Sequence, residues 1–511
     1  MERDLFLAAL FKGQIKNLES KIDFPRYGVS GVGGSSATLT RLWDAVGKTA
    51  QVGTDGDNSG VVNDFDTLPP FNRRKCVGSW VVVGGKAAFV PQAYHGDPDY
   101  TEDGSKGDYV CVDVRPFYYY EEGDVIGVSA GQHEGWKLHE VCKDRATGLA
   151  REHTYLPCYA LAKKDGKAVS LPGLRNECGA YKTLWDAART YEGDAGAFAI
   201  LEPSAVDHYE WLLQTIEFAT QNSNSVMYGA LNMRFSGDDT YTPLSETSGV
   251  VNSTFGSAAV VGQNICVKPA ASSIYDPQKA THKVTSIEKC DEDGTPNASG
   301  TFYLLTVEAY ADTGAFTVGT SHHITAAPWN TGACDAISTP SGSTVSNTDG
   351  KHPCRYRWRE NPWGNHMMTC VDLMNKRIGT EGDGYSLEWY FLPDPLSYYP
   401  TSTSKPDATD LAGDSWVKLN VTQETYSDGY IQKREADPLY PHVKIPVKTT
   451  GASGSTYTCD YAYLVSGSAV RAVRRRGYLF YGGIGGACYV TGNYAPASAY
   501  TFFGGGLFFA Q

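Results

Sequence analysis

Apolar positions along the chain repeat with two periods. Near the start, Leu5, Ala8, Ala9, Ile15, Leu18 and Ile22, with Lys12 in the same spacing, form a helical stripe that ends before Pro25. Two further helices are predicted at Tyr181–Tyr191 (YKTLWDAARTY) and Ser204–Ala219 (SAVDHYEWLLQTIEFA), with Pro203 and Ser204 as the N-terminal signal of the second. Elsewhere the apolar runs are short, β-branched or aromatic, and bounded by Gly, Pro, Asn and Asp. SWVVVGG, AAFVP, YVCVDV and PFYYY follow one another between Gly78 and Tyr120, and GQNICVKP, HKVTSIEKC and TFYLLTVEAY lie between Ser236 and Gly350. Both series read as strands joined by turns, as does the chain from Tyr457 onward.

These patterns predict an α+β protein in four parts. Residues 1–25 form an N-terminal helix for assembly or attachment. Residues 26–74 are a connecting module of Gly-rich turns with a short helix around Thr40–Val46. Residues 75–511 are the main domain of short strands with two helices. Within it, residues 236–350, rich in Ser, Thr, Gly and Asp and without helical period, are a small inserted all-β barrel or sandwich.

Charge and composition narrow the partners. A formal net charge of −13 argues against nucleic acid, whose affinity comes from Lys and Arg neutralising phosphates. Glu2 and Asp4 cancel the basic start a signal peptide needs, and no run is long enough to span a membrane, so neither export nor membrane insertion is expected. Twelve Cys without tight CxxC pairs read as buried, reduced thiols. The unusual features are 33 Tyr and 55 Gly, a composition suited to adaptable binding loops.

That composition is densest at the end of the chain. After Arg476 there is no charged residue, yet ten aromatic side chains fall between Gly477 and Gln511. Strand alternation with a turn at Gly482 and Gly483 predicts an inward set of Ala487, Val490, Leu507 and Phe509. It predicts an outward, ligand-binding set of Tyr478, Phe480, Tyr481, Ile484, Asn493, Tyr494, Tyr500, Phe502 and Phe503. A competing reading packs Tyr489, Phe502, Phe508 and Phe509 into the last sheet. Gly477, Gly483, Gly486, Pro496 and Gly506 are expected to be fixed by backbone geometry.

Other candidate chemistry is thinner. Asp55, Asp57, Ser59 and Asp66 around Gly60 imitate a calcium loop, but Asp66 stands where a bidentate Glu is needed and no helix flanks it. His322 and His323, adjacent on a strand, face opposite ways. His366 and Cys370 would share one helical face, but two ligands are too few for a metal. No GxSxG elbow or HExxH helix is present. Neither catalysis nor a cofactor is expected.

One stretch carries a resemblance. RYRWRENPWGNHMMTCVDLM is similar to the ENxWGNxxxWVDG segment of C-type-lectin-like domains of the formylglycine-generating-enzyme type, matching at Glu360, Asn361, Trp363, Gly364, Asn365, Val371 and Asp372. The closing RRGYLFYGGIGGACYVTGNYAPASAYTFFGGGLFFA resembles the last strands of that fold. Leu479 and Phe480 stand near the place of its late Trp, and Leu507 or Phe508 replaces its terminal Arg. Within the fold the pattern most resembles the variable proteins of diversity-generating retroelements, and NDFDTLPPFNRRKC, AYHGDP and KGDYVCVDVRPFYYY resemble phage tail proteins. The resemblance implies a tail-tip receptor-binding protein in the virion, whose hypervariable C-terminal surface recognises a host cell-surface ligand without turnover. It also implies other tail proteins as partners, and the N-terminal stripe suggests a homotrimer. The rivals are a copper-dependent Cys oxidase using Cys459 and Cys488, and a structural tail or capsid-decorating protein.

Overall fold

The computed structural model describes residues 23–51, 63–268, 281–310, 313, 317–336, 350–380, 384–424, 427–464 and 469–510. The helical stripe of residues 5–22 and the acidic loop positions Asp55, Asp57 and Ser59 lie outside the described residues. The fold is α+β and dominated by antiparallel sheet.

Strand Arg26–Ser30 lies between Thr40–Trp43 and Val125–Ser129, and Tyr118–Glu122 and Lys137–Leu138 complete a five-stranded sheet. The helix expected around Thr40–Val46 is therefore incorrect, because Thr40–Trp43 is a strand in register from Tyr27↔Trp43 to Ser30↔Thr40. Tertiary packing overrides local pattern there. The Trp43 ring lies against Trp136 and Tyr120, with centroids 5.5 and 6.2 Å away, over Gly28 and Gly127, where any Cβ would overlap it. This sheet joins residues 26–43 to residues 118–138, across the division placed after residue 74. A second sheet, in the order Lys86–Tyr94, Arg74–Val83, Tyr109–Val114, Thr154–Pro157, is buried at every position of Tyr109–Val114.

The two principal helices are α1, Tyr181–Ala188, and α2, Ser204–Phe218. Helix α2 buries thirteen residues all round its circumference, including His208, Glu210 and Glu217. Buried carboxylates need partners, and the RYRWRE stretch supplies them. Arg359 Nη1 lies 2.9 Å from Glu210, Arg357 Nη2 lies 2.7 Å from Glu217, and Arg73 reaches Glu210 at 2.7 Å. Arg359 also pairs with Glu202, and Arg476 bridges Glu202 and Asp207 at 3.0 and 2.8 Å. Removing one member would strand a buried charge, at a cost of about 3–5 kcal/mol. Asp372 accepts from the Ser204 amide and hydroxyl at 2.9 Å and so closes the start of α2.

The largest sheet runs Val417–Lys418, Gly384–Phe391, Met367–Thr380, Val470–Arg475, Val490–Tyr494, Tyr461–Tyr463, Gly429–Tyr430, with Phe503–Gly504 parallel to its long central strand. The final strand Leu507–Phe509 leaves it and pairs with Ala199–Leu201. Between α2 and this sheet, six strands from Thr240–Ser245 to His322–Ala327 close into a barrel around Tyr241, Phe255, Ile265, Leu305 and Ile324.

Candidate binding surface

The closing segment is laced to residues 223–233 before it reaches the sheet. The Met233 amide donates to the Leu479 carbonyl at 2.7 Å, the Gly482 amide to Leu231 at 2.6 Å, and Asn224 Nδ2 to the carbonyls of Gly483 and Gly485. The amides of Ala487 and Cys488 donate to Ser223 Oγ at 3.1 Å and Asp460 Oδ2 at 2.7 Å. Such close lacing leaves no space for side chains at certain positions. Gly477 has φ +64°, and a Cβ there would lie 2.9 Å from the Gly485 Cα. At Gly486 it would overlap Asp460 Oδ1, and at Gly506 it would meet the Glu202 carboxyl carbon at 2.5 Å. Pro496 is buried, and its carbonyl accepts from the first amide of α1. Gly483 is different, since it lies outside the left-handed region and its Cβ would meet only the Tyr228 hydroxyl at 3.8 Å.

The nine expected surface residues separate into three groups. Phe480 is exposed, with 49% of its surface free. Tyr481, Ile484, Asn493, Tyr494 and Tyr500 are half-buried. Tyr478, Phe502 and Phe503 are buried, which corrects their assignment to the outward face. They form an apolar cluster with Met233, Phe235, Trp329 and Met367. Tyr478 stacks on Phe502 at 4.2 Å, and the Phe235 ring stands edge-on to both, at 5.9 and 5.6 Å. Burial is continuous along Phe503–Gly504 and Leu507–Phe509 rather than alternating, because a distant part of the chain covers the face expected to lie outward. Of the expected inward set, Val490, Leu507 and Phe509 are buried and Ala487 is half-buried; Tyr489 and Phe508 are buried as well.

The structure adds three rings that sequence reasoning missed. Tyr461 and Tyr463 are half-buried on the strand beside Val490–Tyr494, and Tyr430 is half-buried on the strand beyond it. Their centroids run from Tyr430 to Tyr461 at 5.3 Å, to Tyr463 at 4.7 Å, and on to Tyr481, which stacks on Tyr463 at 5.4 Å. The YAY alternation at 461–463 is the signal that could have found them, since it sends two rings to one side of a strand. Burial raises the pKa of Tyr461, Tyr463 and Tyr481, so their hydroxyls stay neutral.

Beneath these rings lie two ionisable groups. The Arg474 guanidinium sits 3.7 Å over the Phe503 ring and 5.8 Å from that of Tyr494, and burial pushes it down to about 9. Asp460, buried against Gly486, is pushed up to about 7 by burial.

The thiols lack the environment of a reactive pair. Burial pushes Cys459 up to about 11 and Cys488 to about 12, away from the thiolate that attacks or binds metal. His366 precedes the strand that carries Cys370, so they do not share a helical face, and the Cys370 thiol donates to Asp207 at 3.7 Å. His323 Nδ1 lies 2.7 Å from the Gly237 carbonyl and His322 Nε2 3.3 Å from that of Thr317. Asp66 lies 3.3 Å from Arg357. Among the described residues no three His, Cys, Asp or Glu side chains are grouped to hold a metal, and no helix is long and apolar enough to cross a membrane. Neither models of known protein families nor curated proteins match this chain.

Proposed function

We propose that this chain is a phage tail-tip receptor-binding protein whose C-type-lectin-like domain displays a variable surface to the host cell. The reading starts from the ENxWGN-like stretch and the Gly framework of the closing segment. The observation that carries it is the run of tyrosine rings from Tyr430 to Tyr481, with the exposed Phe480 one residue before Tyr481, on a backbone tied down by close glycine contacts and side-chain hydrogen bonds. Rigid rings on a fixed backbone give large contact area at little entropic cost, and their neutral hydroxyls suit polar protein or glycan surfaces. The protein acts by binding, in the virion, held by other tail proteins. As a homotrimer it would present three such faces, and multivalency would strengthen weak single contacts.

Purified full-length protein, labelled and titrated onto intact host cells, tests this reading. Binding that saturates, and that falls at least tenfold in Phe480→Ser, is expected. A folded wild-type protein that binds no cell surface would overturn the proposal in favour of a purely structural tail role. Turnover of a Cys-containing peptide with copper, lost in Cys459→Ser, would favour the oxidase. At the nucleotide level, a neighbouring reverse-transcriptase gene and a near-copy of the Arg476–Gly506 coding stretch differing only at adenines are expected.

A further inference from the structure

A cleft of about 610 Å³ shares no residue with the tyrosine surface. It forms where the loop Glu140–Arg151, the entry to α2, the end of strand Gly384–Phe391 and the last residues of the chain converge. Phe198, Phe391, Tyr440 and Phe508 contribute aromatic lining, and Leu396 and Leu439 are exposed apolar side chains, Leu439 by 79%. A volume of this size, with aromatic and aliphatic walls on one part and a band of charged side chains on another, matches an amphipathic small-molecule site.

We propose that this cleft binds a small amphipathic organic anion, with an aromatic or acyl body and a carboxylate- or sulfonate-type head held by Arg145. The commitment to an anion comes from how the charges of the lining are disposed. Its carboxylates are engaged: Asp372 with the start of α2, Glu140 with Lys143, and Asp144 with Lys86 at 3.2 Å and the Thr147 amide at 2.8 Å. Arg145 is held at 3.1 Å by Asp394, whose side chain is 58% exposed. An exposed pair of this kind contributes little, so a ligand head group can replace Asp394 on the guanidinium and be gripped by two parallel hydrogen bonds. His442 lies in the lining with Nδ1 buried and without a hydrogen-bond partner among the described residues. Its pKa is held well below the usual value first by burial, then by His208, Lys143, Lys444 and Arg145, so three cations act on that wall. Arg151, lowered to about 10 by burial, already donates to the Val141 carbonyl, so the more exposed Arg145 is the cation open to a head group. The start of α2 is closed by Asp372, which leaves the arginine side of the cleft for the head group.

Fluorescence titration of the full-length protein with 8-anilinonaphthalene-1-sulfonate and with its uncharged counterpart N-phenyl-1-naphthylamine tests the proposal. One saturable sulfonate site is expected, displaced by decanoate, with the uncharged amine bound at least tenfold more weakly. Arg145→Gln and Leu439→Glu change exposed or half-exposed positions, so the fold is retained. Each should weaken the sulfonate at least tenfold, and Arg145→Gln should leave the amine unchanged. Equal binding of the two probes, sulfonate binding indifferent to both substitutions, or no binding at all would each overturn it.

Discussion

Arg474 is where the scaffold beneath the tyrosines carries its clearest energetic penalty. It is fully buried on the strand Val470–Arg475, opposite Thr369 and Thr491. Its Nη1 makes one long hydrogen bond, 3.4 Å to the Ala472 carbonyl, while Nε and Nη2 have no partner among the described residues. The fall to about 9 is caused first by burial, and at ~1.4 kcal/mol per tenfold it corresponds to ~5 kcal/mol against the charged form. The Phe503 and Tyr494 rings return about 2 kcal/mol through cation–π attraction. A net penalty of ~3 kcal/mol remains. Arg474→Met keeps the length, removes the charge and places a polarisable sulfur against the Phe503 ring. It should therefore raise the unfolding free energy by ~1–3 kcal/mol, read as a higher urea midpoint at unchanged slope. Arg474→Lys, which keeps a charge but loses the planar stack, should show no such gain. A drop of more than ~1 kcal/mol in Arg474→Met would refute the reasoning, because it would mean that the ring contacts outweigh the desolvation.

Three further outcomes are expected. Asp460 in the folded protein keeps its proton up to about 7, whereas the unfolded chain loses it near 4. The folded state thus binds more protons across that window, and stability falls as pH rises through it, by up to ~4 kcal/mol from this group. Urea denaturation at pH 5 and pH 8 should show a smaller loss in Asp460→Asn than in wild type; an identical loss would contradict the assignment. Gly486→Ala, whose Cβ would overlap Asp460 Oδ1, should cost ~1–3 kcal/mol, while Gly483→Ala, whose Cβ would meet only the Tyr228 hydroxyl at an unstrained distance, should stay within ~0.5 kcal/mol in the same assay. Phe480→Ser should leave thermal stability almost unchanged while weakening cell binding, and Tyr478→Ala, truncating a ring that is only 6% exposed, should cost ~3 kcal/mol or more; the reverse pattern would move the grip to Tyr478.

Local sequence determined the elements of this protein far better than their surroundings. Tyr181–Ala188 and Ser204–Phe218 are helices, as their apolar spacing predicts, and α2 begins directly after Pro203, although Asp372 and not the Ser204 side chain caps it. YVCVDV, HKVTSIEKC and TFYLLTVEAY are strands because β-branched and aromatic residues crowd a helix but fit a pleated surface. The requirement for Gly at 477, 486 and 506 was also legible, since a Gly framework on an aromatic segment implies close approach.

What only the tertiary structure decided is which face each element covers, and with what. Thr40–Trp43 became a strand because Gly28 and Gly127 make a seat for Trp43, two positions that no local window contains together. Arg357 and Arg359 read as part of a family-like stretch, yet in the fold they neutralise Glu217 and Glu210 on a helix about 140 residues earlier. Tyr478, Phe502 and Phe503 turned inward because Phe235 and Trp329, distant in sequence, lie over them, and the same packing leaves Phe480 outside. Alternation is a property of one strand and is written in consecutive residues. Burial belongs to the partner laid against that strand, and long-range packing sets it.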